Sequence, residues 1–168
     1  MRLFFALWPE VDIVRQLEAA ANALTLEGAT RWVPASNYHL TLAFVGEVSD
    51  NKLALLRQIG QSIRASRFTA VCDCLEYWPE PRAVVAAVRH APTALLDLSA
   101  TLHEAIALPQ MALRAHVTIA RKVAQPPVLP AMSPIVWRAT EFSLIVSQTG
   151  GAASAYTVVD TWPLLYES

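Results

Sequence analysis

The segment HLTLAFVG, residues 39–46, predicts a β-strand with one apolar face and one polar face. Successive side chains of a strand point to opposite sides, so Leu40 and Leu42 share one face while His39 and Thr41 share the other. The leucines can enter a core. The imidazole and the hydroxyl need water, a partner or a ligand.

The same order of residues returns in HVTIAR, residues 116–121, where His116 and Thr118 again stand two positions apart. We call this four-residue motif, His-apolar-Thr-apolar, a tetrad. One tetrad is weak evidence of function, because threonine is a common strand former and a strand histidine is often only solvated. Two matched copies favour a duplicated half-site. His90 and His103 have no companion threonine, and we assign them structural roles.

Two imidazoles can supply one acid and one base in a single turnover, because their pKa lies near neutrality. Threonine hydroxyls can donate to anionic oxygens. If a pseudo-twofold axis brings the two polar faces together, one groove would hold both histidines with the threonines beside them. Such a groove suits phosphodiester cleavage without a metal ion. The sequence has no carboxylate cluster with metal-ligand spacing near either tetrad, and we expect no cofactor.

The hydrophobic periodicity predicts an antiparallel α+β fold, since hairpin-like strand pairs mix with single helices. Strands are expected at residues 2–7, 31–33, 38–45, 68–77, 83–89, 114–123, 142–147 and 156–161. Helices are expected at 11–26, 93–108 and from Ser49 or Asp50 to Ile63, a loop at 126–134 and a turn at Gly150–Gly151. We expect residues 1–168 to form a single domain of two interleaved lobes.

The composition limits the classes of function. Hydrophobic residues make up 54% of the 168 residues and charged residues 16%, which is typical of a folded chain with ample core. The formal net charge of -1 does not suit a protein that grips long nucleic acid through many phosphates. A terminus or a short piece of nucleic acid fits this charge better.

We expect a cytoplasmic monomer that does not enter membranes. The first nine residues are interrupted too early by Trp8–Pro9 for a signal peptide, and no apolar run approaches the roughly 20 residues that span a bilayer. Cys72 and Cys74 are too close in sequence for an ordinary disulfide, which agrees with a reducing compartment.

The paired tetrads, the opening RLFFAL, the segment HLTLAFVGEV and the closing Y-x-V and W-x-L pattern resemble the two-histidine (2H) phosphoesterases. Within them the chain is most similar to the bacterial and archaeal RNA 2′,3′-cyclic phosphodiesterases, also called 2′-5′ RNA ligases. The resemblance runs from Arg2 to about Leu164. It implies a bilobal α+β fold with a sheet in each lobe and the active groove between them.

The resemblance also implies a reaction and its residues. The 2′,3′-cyclic phosphate of an RNA end or a nucleoside would be opened to a 2′-phosphate, with reversible 2′-5′ ligation as a minor activity. His39 would give a proton to the leaving 3′ oxygen, and His116 would activate water. Thr41, Thr118 and Arg121 would bind the phosphate oxygens.

Some positions fit this pattern less directly. Strict alternation would put Arg121 on the face opposite His116, so a bulge or strand end must redirect it; otherwise it is a solvated strand terminus. Phe44 holds the equivalent place in the first copy and either meets a base or ribose or packs in the core. Many relatives carry an aromatic residue where this chain has Leu113 and a proline where it has Ala115, which leaves the binding of the terminal nucleoside open.

Two other functions fit the same residues. The chain could be a 2H enzyme for another small phosphoester, such as an ADP-ribose cyclic phosphate or a 2′-5′ oligonucleotide. It could also be a nucleotide-binding module that keeps the groove without turnover. The intact tetrads argue against this last function.

Overall fold

A computed structural model of the chain describes residues 1–148 and 154–165. In this part the chain forms three α-helices, which are α1 (Val11–Asn22), α2 (Asp50–Ser62) and α3 (Thr93–Ala105). The strands are β1 (Arg2–Leu7), β2 (Arg31–Trp32), β3 (Leu40–Glu47), β4 (Phe68–Cys72), β5 (Cys74–Trp78), β6 (Ala83–Ala87), β7 (His116–Arg121), β8 (Ile135–Ala139), β9 (Glu141–Gln148) and β10 (Ala155–Pro163).

The strands form two four-stranded sheets and one two-stranded ribbon. The first sheet has the order β10-β9-β1-β3, the second has the order β2-β7-β6-β5, and β4 pairs with β8. Neighbouring strands within each sheet run antiparallel, which confirms the predicted α+β class. One tetrad belongs to each sheet, since His39 directly precedes β3 and His116 opens β7. The duplication in the sequence is therefore a duplication of sheets.

The helices bury their apolar stripes against these sheets. Ile13, Leu17 and Ala21 form the buried face of α1 at a spacing of four residues. The helix α2 contacts β9 and β10 of the first sheet, while α3 contacts both β3 and β4. Buried residues of both sheets belong to one continuous core. Among the described residues, none of the helices has the length and apolarity that crossing a bilayer requires.

Three predictions about the elements were wrong. The expected strand 68–77 is two strands, β4 and β5, because Phe68, Ala70 and Cys72 are buried in one alternation phase and Leu75 in the other. The strand β8 was missed, although its burial alternates strictly. Two helices end earlier than expected, at Asn22 and Ala105. The expected turn at Gly150–Gly151 lies outside the described residues.

A close approach between α2 and β10 fixes this helix against the first sheet. The indole of Trp162 is 6% exposed, and its ring centroid lies 5.5 Å from that of Phe142 and 6.1 Å from that of Phe5. Gly60 lies directly on this indole, so that a Cβ atom at position 60 would come 2.6 Å from Trp162 Cζ2. Only glycine lets the helix approach so closely.

We predict that Gly60→Ala lowers the free energy of unfolding, by up to about 2 kcal/mol. Overpacking a core costs about 1–3 kcal/mol, and the gain of about 1 kcal/mol that alanine brings to a helix interior offsets only part of it. Urea denaturation followed by circular dichroism measures the difference. The control variant Gln61→Ala, at the exposed neighbouring position, should change the free energy of unfolding by no more than about 0.5 kcal/mol. A more stable Gly60→Ala protein would contradict the close packing.

Candidate active site

The ring of His39 is fixed by its own backbone. Its Nδ1 lies 2.7 Å from the carbonyl oxygen of Asn37, which ends a short 3₁₀ turn just before β3. A carbonyl only accepts hydrogen bonds, so Nδ1 carries the hydrogen and donates it. In the neutral ring, Nε2 then holds a free lone pair on the opposite edge. That atom can take up a proton and, once protonated, release it.

His116 repeats this arrangement in the second sheet. Its Nδ1 donates to the carbonyl oxygen of Arg114 over 2.6 Å, again two residues upstream. The two sheets thus present two histidines of the same tautomer, each held by the chain segment that leads into its strand.

A β-bulge follows the second tetrad. Thr118 and Ala120 stand opposite consecutive residues of β6, so Ile119 is an extra residue in β7. Ile119 and Ala120 are both buried, which breaks the alternation. The side chain of Arg121 therefore returns to the face of the tetrad and lines one cavity with His39 and Thr118. Of the two ways to redirect Arg121 that the sequence left open, a bulge or a strand end, the fold has the bulge.

The first tetrad has a bulge at the equivalent place. Thr41 and Ala43 stand opposite consecutive residues of β1, so Leu42 is the extra residue. A bulge takes a backbone group out of the ladder, and the hydroxyl of Ser99 on α3 donates to the Leu42 carbonyl oxygen over 2.7 Å. The bulge turns Phe44 outward, half exposed at 50%. The alternative of a core position for Phe44 is therefore wrong.

The cavity that joins the two tetrads is small, about 80 Å³. His39 enters it from the first sheet, while Thr118 and Arg121 enter it from the second. The remaining walls are Arg31, Trp32, Val33, Pro34, Asn37, Ser154 and Tyr156. The fold thus brings one imidazole beside the hydroxyl and the guanidinium of the other copy. Thr41, half-buried in β3, and His116 do not line this cavity.

Aromatic side chains surround His39. Its ring centroid lies 4.9 Å from that of Phe4, 5.2 Å from that of Tyr156 and 5.8 Å from that of Trp8, which is stacked parallel to it. Loss of water around the ring lowers the pKa of His39 below its ordinary value near 6.5, and the positive charges of Arg121 and His116 lower it further. The hydrogen bond to Asn37 opposes this shift.

Loss of solvent also lowers the pKa of His116, and the charges of Arg114 and Arg121 add to the effect. The hydrogen bond to the Arg114 carbonyl and the carboxylate of Glu76 oppose it. The ring of Trp78 covers His116, with 4.4 Å between the ring centroids. Both imidazoles are therefore poised in the neutral form at neutral pH, and Arg121 acts on both.

Sequence reasoning missed the aromatic neighbours of the two histidines. A signal for two of them was present, because Trp-Pro-Glu occurs twice, at residues 8–10 and 78–80. Trp8 lies beside His39 and Trp78 beside His116. His103 donates from Nδ1 to the carbonyl of Ser99 in its own helix, in agreement with its structural assignment.

The groups at this site can move protons and hold an anion. Within residues 1–148 and 154–165, no three His, Cys, Asp or Glu side chains are grouped so that they could hold a metal ion. Two imidazoles, a guanidinium and hydroxyls are the functional groups that acid–base cleavage of a phosphate ester needs, with one imidazole protonated and the other neutral.

Comparison with known proteins agrees with this chemistry. Residues 7–86 match the model of the LigT-like phosphoesterase family. The RNA 2′,3′-cyclic phosphodiesterase of Escherichia coli K12 is 31% identical over 170 aligned positions, which cover 97% of this chain and 96% of that protein. The chain belongs to the LigT-like phosphoesterases.

Solved structures extend the match to three dimensions. The crystal structure of E. coli LigT complexed with 3′-AMP superposes on this LigT-like phosphoesterase with a TM-score of 0.89 at 32% identity, covering 97% of each chain. The complex of E. coli LigT with NADP+ gives a TM-score of 0.90 at 31% identity, again covering 97% of each. The bilobal α+β fold implied by the sequence resemblance is confirmed.

We predict that NMR titration of the imidazole nitrogens finds both pKa values below 6.5, with Nδ1 protonated and Nε2 bare in the neutral rings. Glu76→Gln should lower the pKa of His116 further, because it removes the carboxylate charge that opposes the shift. The control variant Glu80→Gln, at an exposed position nearby, should leave the pKa of His116 unchanged. A pKa above 6.5 for either histidine would contradict the desolvated site.

Proposed function

We propose that this protein hydrolyses 2′,3′-cyclic phosphates at RNA ends, and those of nucleosides, to 2′-phosphates. The observation that carries the proposal is the pair of histidines, one from each sheet, with free Nε2 atoms and with Arg121 acting on both. The similarity of this chain to the E. coli RNA 2′,3′-cyclic phosphodiesterase over nearly its full length supports the proposal. A solved LigT structure holds 3′-AMP.

In the proposed reaction, Nε2 of His116 takes a proton from water while the water oxygen attacks phosphorus. The bond between phosphorus and the 3′ oxygen breaks, and Nε2 of His39 gives its proton to that oxygen. The product carries a 2′-phosphate and a 3′-hydroxyl. Each Nδ1–H bond to a backbone carbonyl keeps the ring oriented and stabilises the cationic form.

The anionic substrate supplies the protonation state that the free site lacks. A phosphate close to an imidazole raises its pKa, because opposite charges favour the protonated form. Binding would therefore protonate His39, while His116 stays neutral as the base. Arg121, Thr41 and Thr118 would hold the phosphate oxygens, and the guanidinium would neutralise the charge that builds up on them.

The same groups would support reversible 2′-5′ ligation. The 5′-hydroxyl of a second RNA would take the place of water, lose its proton to His116 and form the new bond to phosphorus as the 3′ oxygen leaves. Phe44 would contact a base or ribose of the bound RNA, since its ring is exposed and the Arg2 guanidinium lies 5.5 Å above it.

We further propose that residues 1–168 act as one domain of two interleaved lobes, as a cytoplasmic monomer and without a cofactor. Support for the single domain comes from the continuous core and from α3, which follows β6 of the second sheet yet bonds to β3 of the first. The formal net charge of -1 suits the ends of RNA rather than long stretches of it.

We predict that His39→Ala and His116→Ala each reduce kcat/KM by at least about a hundredfold, as expected for a lost general acid or base. The substrates are adenosine 2′,3′-cyclic phosphate and an RNA oligomer with a cyclic phosphate end, both with excess EDTA. His103→Gln is the matched control and should keep its activity. Near-full activity of either alanine variant would refute the role of that histidine.

This assay also separates the alternatives. Turnover of the nucleotide but not the oligomer would favour a 2H enzyme for another small phosphoester. Binding without product would indicate a nucleotide-binding module.

We also predict a bell-shaped pH profile of kcat/KM with two near-neutral limbs. Glu76→Gln lowers the pKa of His116, so the acidic limb should move to lower pH if His116 is the base, while the alkaline limb stays. Glu80→Gln should move neither limb. Movement of the alkaline limb alone would exchange the roles of the two histidines.

A further inference from the structure

We propose that Arg31 binds the internucleotide phosphate that joins the last nucleotide of an RNA substrate to the chain before it. This inference rests on the proposed function and names its preferred substrate class, which is a cyclic phosphate end with a 5′ phosphodiester rather than a free nucleoside cyclic phosphate. Arg31 stands directly opposite Arg121 where β2 pairs with β7, and both residues line the cavity that His39 enters.

The register of the two strands holds these arginines side by side. Residues directly opposite each other in an antiparallel pair point to the same face, with their Cβ atoms about 4.5–5.5 Å apart. The bulge at Ile119 returns Arg121 to the face of the tetrad, so Arg31 shares that face. The backbone N–H of Val33 donates to the Ile119 carbonyl oxygen over 2.9 Å, which keeps β2 in this register beside the bulge.

The charges at this place suit more than one anionic group. Like charges directly opposite each other destabilise a sheet, and bound anions would offset the repulsion between the two guanidinium groups. Among the described residues that line the cavity, none is an aspartate or a glutamate. Arg31 and Arg121 are both exposed, so their side chains can turn towards a ligand that arrives from solvent.

The size of the cavity separates the tasks of the two arginines. Its volume is about 80 Å³, whereas sites that enclose a small ligand measure about 300–1,000 Å³, so a whole nucleotide does not fit. In the proposed reaction the cyclic phosphate enters it beside His39, Thr118 and Arg121, and the rest of the substrate lies outside. Arg31 belongs to β2, the edge strand of the second sheet, one strand further out than Arg121.

The chemistry of an RNA end places a second phosphate within reach of this edge. The 5′ oxygen and the 2′,3′-cyclic phosphate belong to the same ribose, so a single sugar separates the cyclic phosphate from the next phosphate of the chain. Two guanidinium groups on neighbouring strands match two anions with this spacing, and each can bind a phosphate through paired N–H donors. A free nucleoside offers only an uncharged 5′-hydroxyl to Arg31.

The test compares adenosine 2′,3′-cyclic phosphate with its 5′-(methyl phosphate), which adds the single charge of an internucleotide linkage without a second base. The unaltered protein should show a kcat/KM about tenfold higher for the 5′-(methyl phosphate), mainly through KM, as expected for one hydrogen-bonded charge pair. Arg31→Gln should remove this preference and leave kcat/KM for adenosine 2′,3′-cyclic phosphate nearly unchanged. Arg31→Lys keeps the charge and should retain most of the preference. The control Arg15→Gln, which removes the same charge from an exposed position on α1, should retain all of it.

Equal losses on both substrates in Arg31→Gln would overturn the proposal, because Arg31 would then act on the cyclic phosphate. A preference that survives in Arg31→Gln, or no preference in the unaltered protein, would overturn it as well. If the unaltered protein turns over neither substrate, the proposed function fails, and binding tests the phosphate site separately. Calorimetry with adenosine 2′-phosphate and its 5′-(methyl phosphate) should then show tighter binding of the second compound, and equal affinities or a difference that Arg31→Gln leaves intact would refute the site.

Discussion

The site depends on one repeated interaction, in which each histidine donates its Nδ1 hydrogen to the backbone carbonyl two residues before it. This bond sets the tautomer, fixes the ring plane and leaves Nε2 bare. It also raises the pKa of each imidazole, and so opposes the lowering of that pKa by loss of solvent around the ring. Because the acceptors belong to the segments that lead into β3 and β7, the strands themselves determine where the two proton-transfer atoms lie.

The two halves share a backbone plan and differ in their side chains. Both tetrads are followed by a bulge, yet the residue that the bulge turns back is Phe44 in one half and Arg121 in the other. His39 is enclosed by three aromatic rings, whereas His116 has a carboxylate, two guanidinium groups and one indole around it. A cyclic phosphate is itself asymmetric, with one bond to break and one to keep. The asymmetry of the halves gives such a substrate a reason to bind in one direction.

Much of the fold and site could be predicted from local pattern, and the errors arose where distant contacts decide. The alternation in residues 39–46 and 116–121 located both strands and their polar faces. The split at Asp73 was not predictable in the same way, because it depends on which partner strand each half finds, β8 for one and β6 for the other. The aromatic neighbours of His39 come from β1, its following turn and β10, far apart in sequence.

Sequence patterns alone indicate the duplicated tetrads, the antiparallel α+β class, the need for a bulge or strand end before Arg121 and the residues proposed for proton transfer. These follow from alternation and side-chain chemistry, which are local properties. Three other features became visible in the folded chain alone: Arg121 shares a cavity with His39 of the other sheet, Ser99 donates to the carbonyl of Leu42 at the bulge, and Arg114 lies over Trp78. Each of these joins separate elements, and their distance is set by the packing of the two sheets rather than by any one segment.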